Sequence, residues 1–419
     1  MRVPKPRNIA IALVLVLGVV GAGLVIAQDQ EDLRVRSPLG AADPSFPVYL
    51  TTLLGHPLTS GDSYLVHTNG DVAFPAMLAA IASARHRISF ETYIFSTGAV
   101  AEQFTAAFAA AAKRGVEVRM VLDSMGASDM DPKQIERLEQ AGCRLGWFNP
   151  VGHIEEVNYR THRKALVVDG DVAFLGGMGL ADQWSMDTEK ERRWRDTQIE
   201  VRGPAAVHIE AAFNENWIET GGVVEPDLLT HAPGSGSARS SVVWSSPAGG
   251  TNELKLLYLF ALAAARQSID IQSPYLITDE STTWSLQEAR RRGVRIRMLT
   301  EGDVTDAKPV KFASRATYDA LMTMGVEVFE YQPAMMHTKA MIVDGVMSIV
   351  GSANFDNRSL ELNDELNVVL FDRAVAARLL TDLERDLTQS KRLNLEEWRD
   401  RPPHIRAREQ AWSLFGEIF

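Results

Sequence analysis

The chain has 419 residues, 46% of them hydrophobic and 23% charged, with 30 Gly, 18 Pro, one Cys and a formal net charge of −11 at pH 7. That length supports two or three folded units with their own cores, and the composition excludes disorder, collagen-like repeats and a multi-pass membrane bundle. A single cysteine, Cys143, excludes intramolecular disulfides and Cys-rich zinc sites, and the acidic balance disfavours general duplex binding while allowing a local basic pocket.

At the amino terminus Arg2, Lys5 and Arg7 precede an uncharged apolar run over 9–27, long enough as a helix to cross a bilayer. Residues 1–28 read as a membrane anchor, or as a signal cleaved near Val25-Ile26-Ala27. Basic residues kept on the cytoplasmic side would put the rest of the chain outside the cytoplasm. Residues 29–44 read as a polar linker. Two similar units follow, over 45–222 and 247–398, separated by a Gly/Ser/Pro-rich linker over 223–246 and closed by a helical tail over 399–419.

The similarity is specific. Ser83-Ala84-Arg85, Ile88, Glu91 and Tyr93-Ile94-Phe95 are echoed by Ala264-Ala265-Arg266, Ile269, Gln272 and Tyr275-Leu276-Ile277. Lys113-Arg114-Gly115-Val116 is echoed by Arg291-Arg292-Gly293-Val294. Alanine- and leucine-rich helical stretches alternate with short β-branched strands, which predicts an α/β fold of αβα layers with mixed sheets, two repeats packed as a pseudo-twofold pair.

His162-Arg163-Lys164, Ala165-Leu166-Val167-Val168 and Asp169-Gly170 recur as His337-Thr338-Lys339, Ala340-Met341-Ile342-Val343 and Asp344-Gly345, 175 residues on, and Gly351-Ser352 follows Gly176-Gly177 at the same offset. Apolar runs on both sides of Asp-Gly predict strand, tight turn, strand. Residues two apart on a strand share a face, so each His projects with its Lys, and Ser352 with Asn354. Facing units would bring two imidazoles and two ammonium groups into one pocket, which suits a phosphodiester: the lysines neutralise phosphate oxygens, one His attacks phosphorus and the other protonates the leaving alkoxide. No metal or other cofactor is expected, since no ligand spacing such as His-Glu-x-x-His occurs.

At these residues the chain resembles the phospholipase D superfamily, whose signature is His-x-Lys-x4-Asp followed by Gly-Gly or Gly-Ser and Asn, and within it the bacterial cardiolipin synthases. The stretches 158–164, 194–197 and 202–204, and then 351–359 and 363–365, carry the likeness. The resemblance implies a phosphohistidine on His162, with His337 as general acid and base, and a carboxylate behind each His, for which Asp196 and Glu365 match. Lys164, Lys339, Asp169 and Asp344 complete the candidate catalytic set, and Asn354, Ser352 and Gly177 the candidate phosphate-binding set. The first copy's signature Asn falls at Gly179, which removes an amide donor or reflects a branch that carries Gly. The implied reaction moves a phosphatidyl group between two phosphatidylglycerols at a membrane. Hydrolysis by water is the alternative, followed by an inactive lipid-binding scaffold; nucleic acid is not an expected partner, and oligomeric state is left open.

Other features have plainer readings. Asp169 and Asp344, beside Gly, can hold their turns instead of acting chemically. Residues 189–195 read as a lid, a contact for anionic headgroups or a solvated loop, the tail either lies in a membrane interface or docks on its own domain, and Arg290-Arg291-Arg292 complements a helix end. Cys143 reads as a buried apolar residue.

Overall fold

The computed structural model describes residues 33–150, 159–187, 192–224, 234, 236–246 and 252–416. The segment read as a membrane anchor lies outside them, and among the described residues no helix is long and apolar enough to cross a membrane.

The strands are β1 (Thr59–Thr68), β2 (Arg87–Thr92), β3 (Glu117–Asp123), β4 (Arg144–Phe148), β5 (Ala165–Val168), β6 (Val172–Gly176), β7 (Thr197–Arg202) and β8 (Ala238–Ser245), then β9 (Ser268–Gln272), β10 (Arg295–Glu301), β11 (Glu327–Tyr331), β12 (Ala340–Val343), β13 (Met347–Gly351), β14 (Glu365–Leu370) and β15 (Ser390–Arg392). Their spatial order is β15-β11-β10-β9-β12-β13-β14-β8-β1-β7-β6-β5-β2-β3-β4. Read outward from the β8–β1 junction, the two directions match strand for strand, with β15 the one addition. In each half three strands run parallel, β2-β3-β4 and β9-β10-β11, and the rest pair antiparallel. This is the mixed α/β architecture the alternating pattern predicts.

The central strands are buried on both faces, and the polar side chains of β2 are paired inside, Arg87 and Ser89 with Glu210 and Glu91 with Thr161. Every residue of β2, β5 and β12 is buried, because helices or the opposite half cover both sides. Val167, Leu175 and Ile199 of the first half and Ile342, Val350 and Val368 of the second share one core, closed by Ile209 from the helix Ala205–Glu219 and Leu379 from the helix Arg373–Leu387. The halves are therefore fused through apolar packing, and the site lies where they meet.

Two segments depart from the boundaries read in the sequence. The stretch read as linker holds β8, which pairs with β14 on one side and with β1 on the other; its serines match linker composition, but Ser241-Val242-Val243 are all buried as strand residues. The helix Phe46–Leu54, counted with the first unit, buries Phe46, Leu50 and Leu54 in the core of the second beside Leu257 and Leu262. The amino-terminal part thus completes the other half.

The two Asp-Gly turns form as the spacing predicts, with φ of 54° and 72° at Asp169 and Gly170 and 53° and 62° at Asp344 and Gly345. The Asp169 carboxylate accepts from the backbone N–H groups of Arg85, His86 and Arg87 at 2.8–2.9 Å. Asp344 accepts from those of Arg266, Gln267 and Ser268 in the same way. Each turn sits at the far end of its strand from the His-x-Lys segment. Asp169 and Asp344 are therefore removed from the catalytic set: their charge is spent tying hairpins to β2 and β9. The tail docks on its own domain, since Glu409 in the helix Pro403–Ser413 is buried between Arg315 and Arg401. Cys143 is buried, and burial pushes its thiol up to about 11. Arg290 caps carbonyls of Val294 and Met324 near the end of the helix Glu280–Arg291.

Candidate active site

Two short parallel bridges place the histidines. The segment entering β5 runs beside the one entering β14, with His162 N donating to Asp364 O at 2.8 Å and Asp364 N to Arg160 O at 3.0 Å. The segment entering β12 runs beside the one entering β7, with His337 N donating to Arg195 O at 2.8 Å and Arg195 N to Met335 O at 2.9 Å. Both bridges cross between halves. Each therefore sets a histidine of one repeat next to the carboxylate of the other.

His162 Nδ1 stands 2.8 Å from Glu365 Oε1, and His337 Nδ1 2.8 Å from Asp196 Oδ2. A carboxylate accepts, so Nδ1 carries the proton in both rings and Nε2 is the free nitrogen. The carboxylates are fixed in turn. Glu365 Oε2 accepts from Ser352 Oγ at 2.5 Å; Asp196 accepts from Trp184 Nε1 at 2.9 Å and from the Thr197 N–H at 2.7 Å. Ser352 has spent its only proton on Glu365 and accepts from Leu366 N, so it supports that carboxylate instead of donating to phosphate. Gly177 serves a similar end by absence: a Cβ there would lie 2.5 Å from Asp196 Oδ1.

Lys164 Nζ donates to His162 O at 2.6 Å, and Lys339 Nζ to His337 O at 2.7 Å. Lys339 Nζ also lies 3.0 Å from His337 Nδ1, whose proton already points to Asp196, so that contact supplies charge and not a second hydrogen bond. Burial lowers both lysines, Lys164 to about 7 and Lys339 to about 8, although nearby carboxylates favour their charge. Burial also lowers His162, to about 4, against the pull of Glu365, and lowers His337, where Lys339 adds to the effect. Burial opposes ionisation of Glu365, but the His162 and Lys164 side chains outweigh it and hold the carboxyl down at about 2. At neutral pH the site holds two anionic carboxylates and two neutral imidazoles. Its lysines sit close to their titration midpoints, so an arriving phosphate would draw them into the charged form.

His162, Lys164, His337 and Asn354 line one cavity of about 310 Å³, joined by Tyr93, Arg160, Tyr275, Asp306 and Arg358. Tyr93 meets the His162 ring edge-on at 5.5 Å, while His337 packs against Trp184 and Trp194 at 5.4 and 5.2 Å, the two indoles themselves in contact at 4.8 Å. Arg160 is held by Asp123 through Nη2 to Oδ1 at 2.8 Å. Tyr275 and Tyr93 both reach the cavity but are not equivalent. Phe95 bridges Leu180 as Leu276 bridges Phe355, so Ile94, not Tyr93, occupies the position of Tyr275. The tyrosine echo read in the sequence is one residue out of register, because Tyr-Ile-Phe and Tyr-Leu-Ile look alike by type. Nor does an amide fit at position 179: a Cβ there would lie 2.8 Å from Ile94 Cβ and 2.9 Å from Ile94 O. Asp306 and Asp123 carry no motif signal and escaped the sequence reading, and Tyr93 entered it only as a member of the repeat. Part of the segment read as a lid, residues 189–191, lies outside the described residues; Arg193 pairs with Asp71.

The arrangement matches known proteins along most of its length. A family model for the PLD-like domain of cardiolipin synthase matches residues 77–217 and 258–387. Cardiolipin synthase 2 of Bacillus anthracis is 31% identical over 92% of this chain and 73% of its own, and cardiolipin synthase A of Pseudomonas aeruginosa 34% identical over 79% and 68%. The crystal structure of a phosphatidylserine synthase from Haemophilus influenzae shares the fold, with a TM-score of 0.70 at 15% identity over 88% of this chain and 98% of that one. The chain belongs to the phospholipase D superfamily, in its cardiolipin synthase-like branch.

Proposed function

We propose that this superfamily member is a cardiolipin synthase-like phosphatidyltransferase acting on phosphatidylglycerol. The observation that carries the reading is one cavity lined by both histidines and Lys164, with Lys339 buried against His337 and each His oriented by a carboxylate through Nδ1. In the first step the acting form carries His337 as an imidazolium, its second proton taken up from solvent on Nε2; His162 Nε2 attacks phosphorus, the bond from phosphorus to the headgroup oxygen breaks, and His337 gives that Nε2 proton to the departing glycerol. In the second, a hydroxyl of another phosphatidylglycerol attacks the phosphohistidine, its proton passes to His337 and the P–N bond breaks, giving cardiolipin. Lys164, Lys339 and Asn354 hold the non-bridging oxygens while charge shifts between attacking and leaving groups.

Such substrates stay in the bilayer, so the work is done at a membrane surface. The basic residues before the apolar run at 9–27 favour a site outside the cytoplasm, which protease accessibility in intact against lysed cells tests. The central experiment is incubation of purified protein with labelled phosphatidylglycerol in vesicles and analysis of products. Cardiolipin with glycerol is expected. Phosphatidic acid in place of cardiolipin would turn the reading to hydrolysis, and no product at all to a lipid-binding role.

A further inference from the structure

The cavity built for a phosphodiester contains a carboxylate that phosphate binding does not use. Asp306 sits on the loop between β10 and the helix Lys308–Thr323, exposed at the cavity wall. The loop is pinned: Thr305 Oγ1 donates to Glu301 at 2.9 Å and accepts from Ala307 N at 3.1 Å, and Lys311 Nζ donates to Gly302 O. Tyr275 Oη donates to Asp306 Oδ1 at 2.5 Å, which fixes the carboxylate and leaves Oδ2 without a hydrogen bond among the described residues. No Lys or Arg forms an ion pair with it among the described residues. An unneutralised carboxylate repels a phosphodiester, so its presence here calls for a ligand group that a carboxylate attracts.

The position says which group. Asp306 belongs to the second half, on the side of His337, and its charge bears on His337 and Lys339; the charges that bear most on His162 are those of Glu365, Lys164 and Lys339. In an in-line displacement the leaving and entering alcohols lie opposite the nucleophile, which is the side of the proton-transferring imidazole. We propose that Asp306, held by Tyr275, is the alcohol-recognition residue of this site: it accepts a hydrogen bond from the hydroxyl next to the reacting one, and so selects a vicinal diol such as the glycerol headgroup over water or a simple alcohol. A carboxylate is the side chain that suits neighbouring hydroxyls, as acidic residues on ribose diols show. The inference rests on the transfer reaction proposed above and deepens it, since both glycerol departing and phosphatidylglycerol arriving pass through the same subsite.

The test uses two donors with the full chain in detergent–lipid micelles. Phosphatidyl-p-nitrophenol has an aryl leaving group that needs neither a diol contact nor a proton, so its cleavage reports His162, the lysines and the fold. Asp306→Ala should lower glycerol release from phosphatidylglycerol by about 10- to 100-fold, the scale of one charge-assisted hydrogen bond, and leave p-nitrophenol release within about twofold. With the aryl donor in mixed glycerol and methanol, the ratio of phosphatidylglycerol to phosphatidylmethanol formed should fall by a similar factor. Tyr275→Phe should shift that ratio the same way by less. Unchanged ratios in Asp306→Ala, or equal losses with both donors, overturn the diol site and leave the transfer reaction standing. A wild-type protein that makes neither glycerol nor cardiolipin from phosphatidylglycerol overturns the transfer reaction and the diol site with it.

Discussion

The two halves share a frame down to the hydrogen bonds of their Asp-Gly turns, and they share the His/Lys pair, yet they differ in the side chains packed around it. His162 is backed by Glu365, itself held by a serine, and its side chain keeps 14% of its surface exposed. His337 is backed by the shorter Asp196, which glycine accommodates and tryptophan holds, and keeps 7% against a pair of touching indoles. Asn354 faces the cavity from the second half, whereas Ile94 and Trp184 fill the matching space beside Gly179. Similar backbones thus present one accessible imidazole suited to attack and one enclosed imidazole suited to proton transfer. Divergence has fallen on the side chains that surround the His/Lys pairs, and the strands that aim those pairs have stayed alike.

The largest effects should separate the two imidazoles. His162→Ala removes the nucleophile and should lower turnover of any donor by about 10⁴-fold or more, measured as product release, with no label trapped on the protein under alkaline quench. His337→Ala should cost about 10²–10⁴-fold with phosphatidylglycerol, but far less in the first step with an aryl ester, so label should accumulate on His162. Label appearing in His162→Ala but not in His337→Ala would reverse the assignment. Next come the crossed carboxylates. Glu365→Gln should slow formation of the phosphohistidine and Asp196→Asn the protonation of the leaving alkoxide, each by about 10²–10⁴-fold, resolved by pre-steady-state trapping. If each substitution instead affected the histidine of its own repeat, the crossed pairing would be wrong.

Asn354→Ala should cost about 10²-fold in kcat through one lost donor. Gly179→Asn tests the opposite half. The filled space predicts a loss of about 1–3 kcal/mol in stability by denaturant melting and no gain in rate; a faster enzyme would mean that the missing donor, not the packing, sets the asymmetry.

Acidity gives a subtler comparison. His162, at about 4, is neutral over the working range, while Lys164 at about 7 and Lys339 at about 8 lose charge as pH rises through neutrality. The value of kcat/KM, which reports the free enzyme, should therefore fall above about pH 7–8. The requirement for protonated His337, which burial makes harder to protonate, starts that fall below pH 6.5, so loss of charge on the lysines steepens a decline already under way. Stability follows the histidine with the sign worked through: its pKa is lowered from 6.5, so between pH 6.5 and 4 the unfolded chain holds a proton that the folded chain does not. Melting temperature should accordingly drop as pH falls through that window. The smallest effects belong to the frame. Asp169→Asn and Asp344→Asn should each cost about 1–2 kcal/mol and leave turnover per folded molecule unchanged; unequal penalties would show that the frames are less alike than their hydrogen bonds.

Much of this was written locally. The strand–turn–strand around Asp169-Gly170 and Asp344-Gly345, the alternating αβ order, and the His-x-Lys pairs follow from residue type and spacing, because period, propensity and turn chemistry act over a few residues. What local rules could not supply was any relation across the 175 residues between the copies. That Glu365 backs His162 and Asp196 backs His337 depends on two bridges between segments of opposite halves. That Ser352 supports a carboxylate, that Ile94 stands where Tyr275 does, and that Asp306 reaches the cavity all depend on how loops far apart in sequence are packed together. Composition likewise hid β8, whose serines read as linker until β1 and β14 flanked it. Residue types and their spacing specify which groups can do phosphoryl chemistry and on what local scaffold; which carboxylate serves which imidazole is set by the folded arrangement, because side-chain partners are chosen by the packing of the two halves and not by distance along the chain.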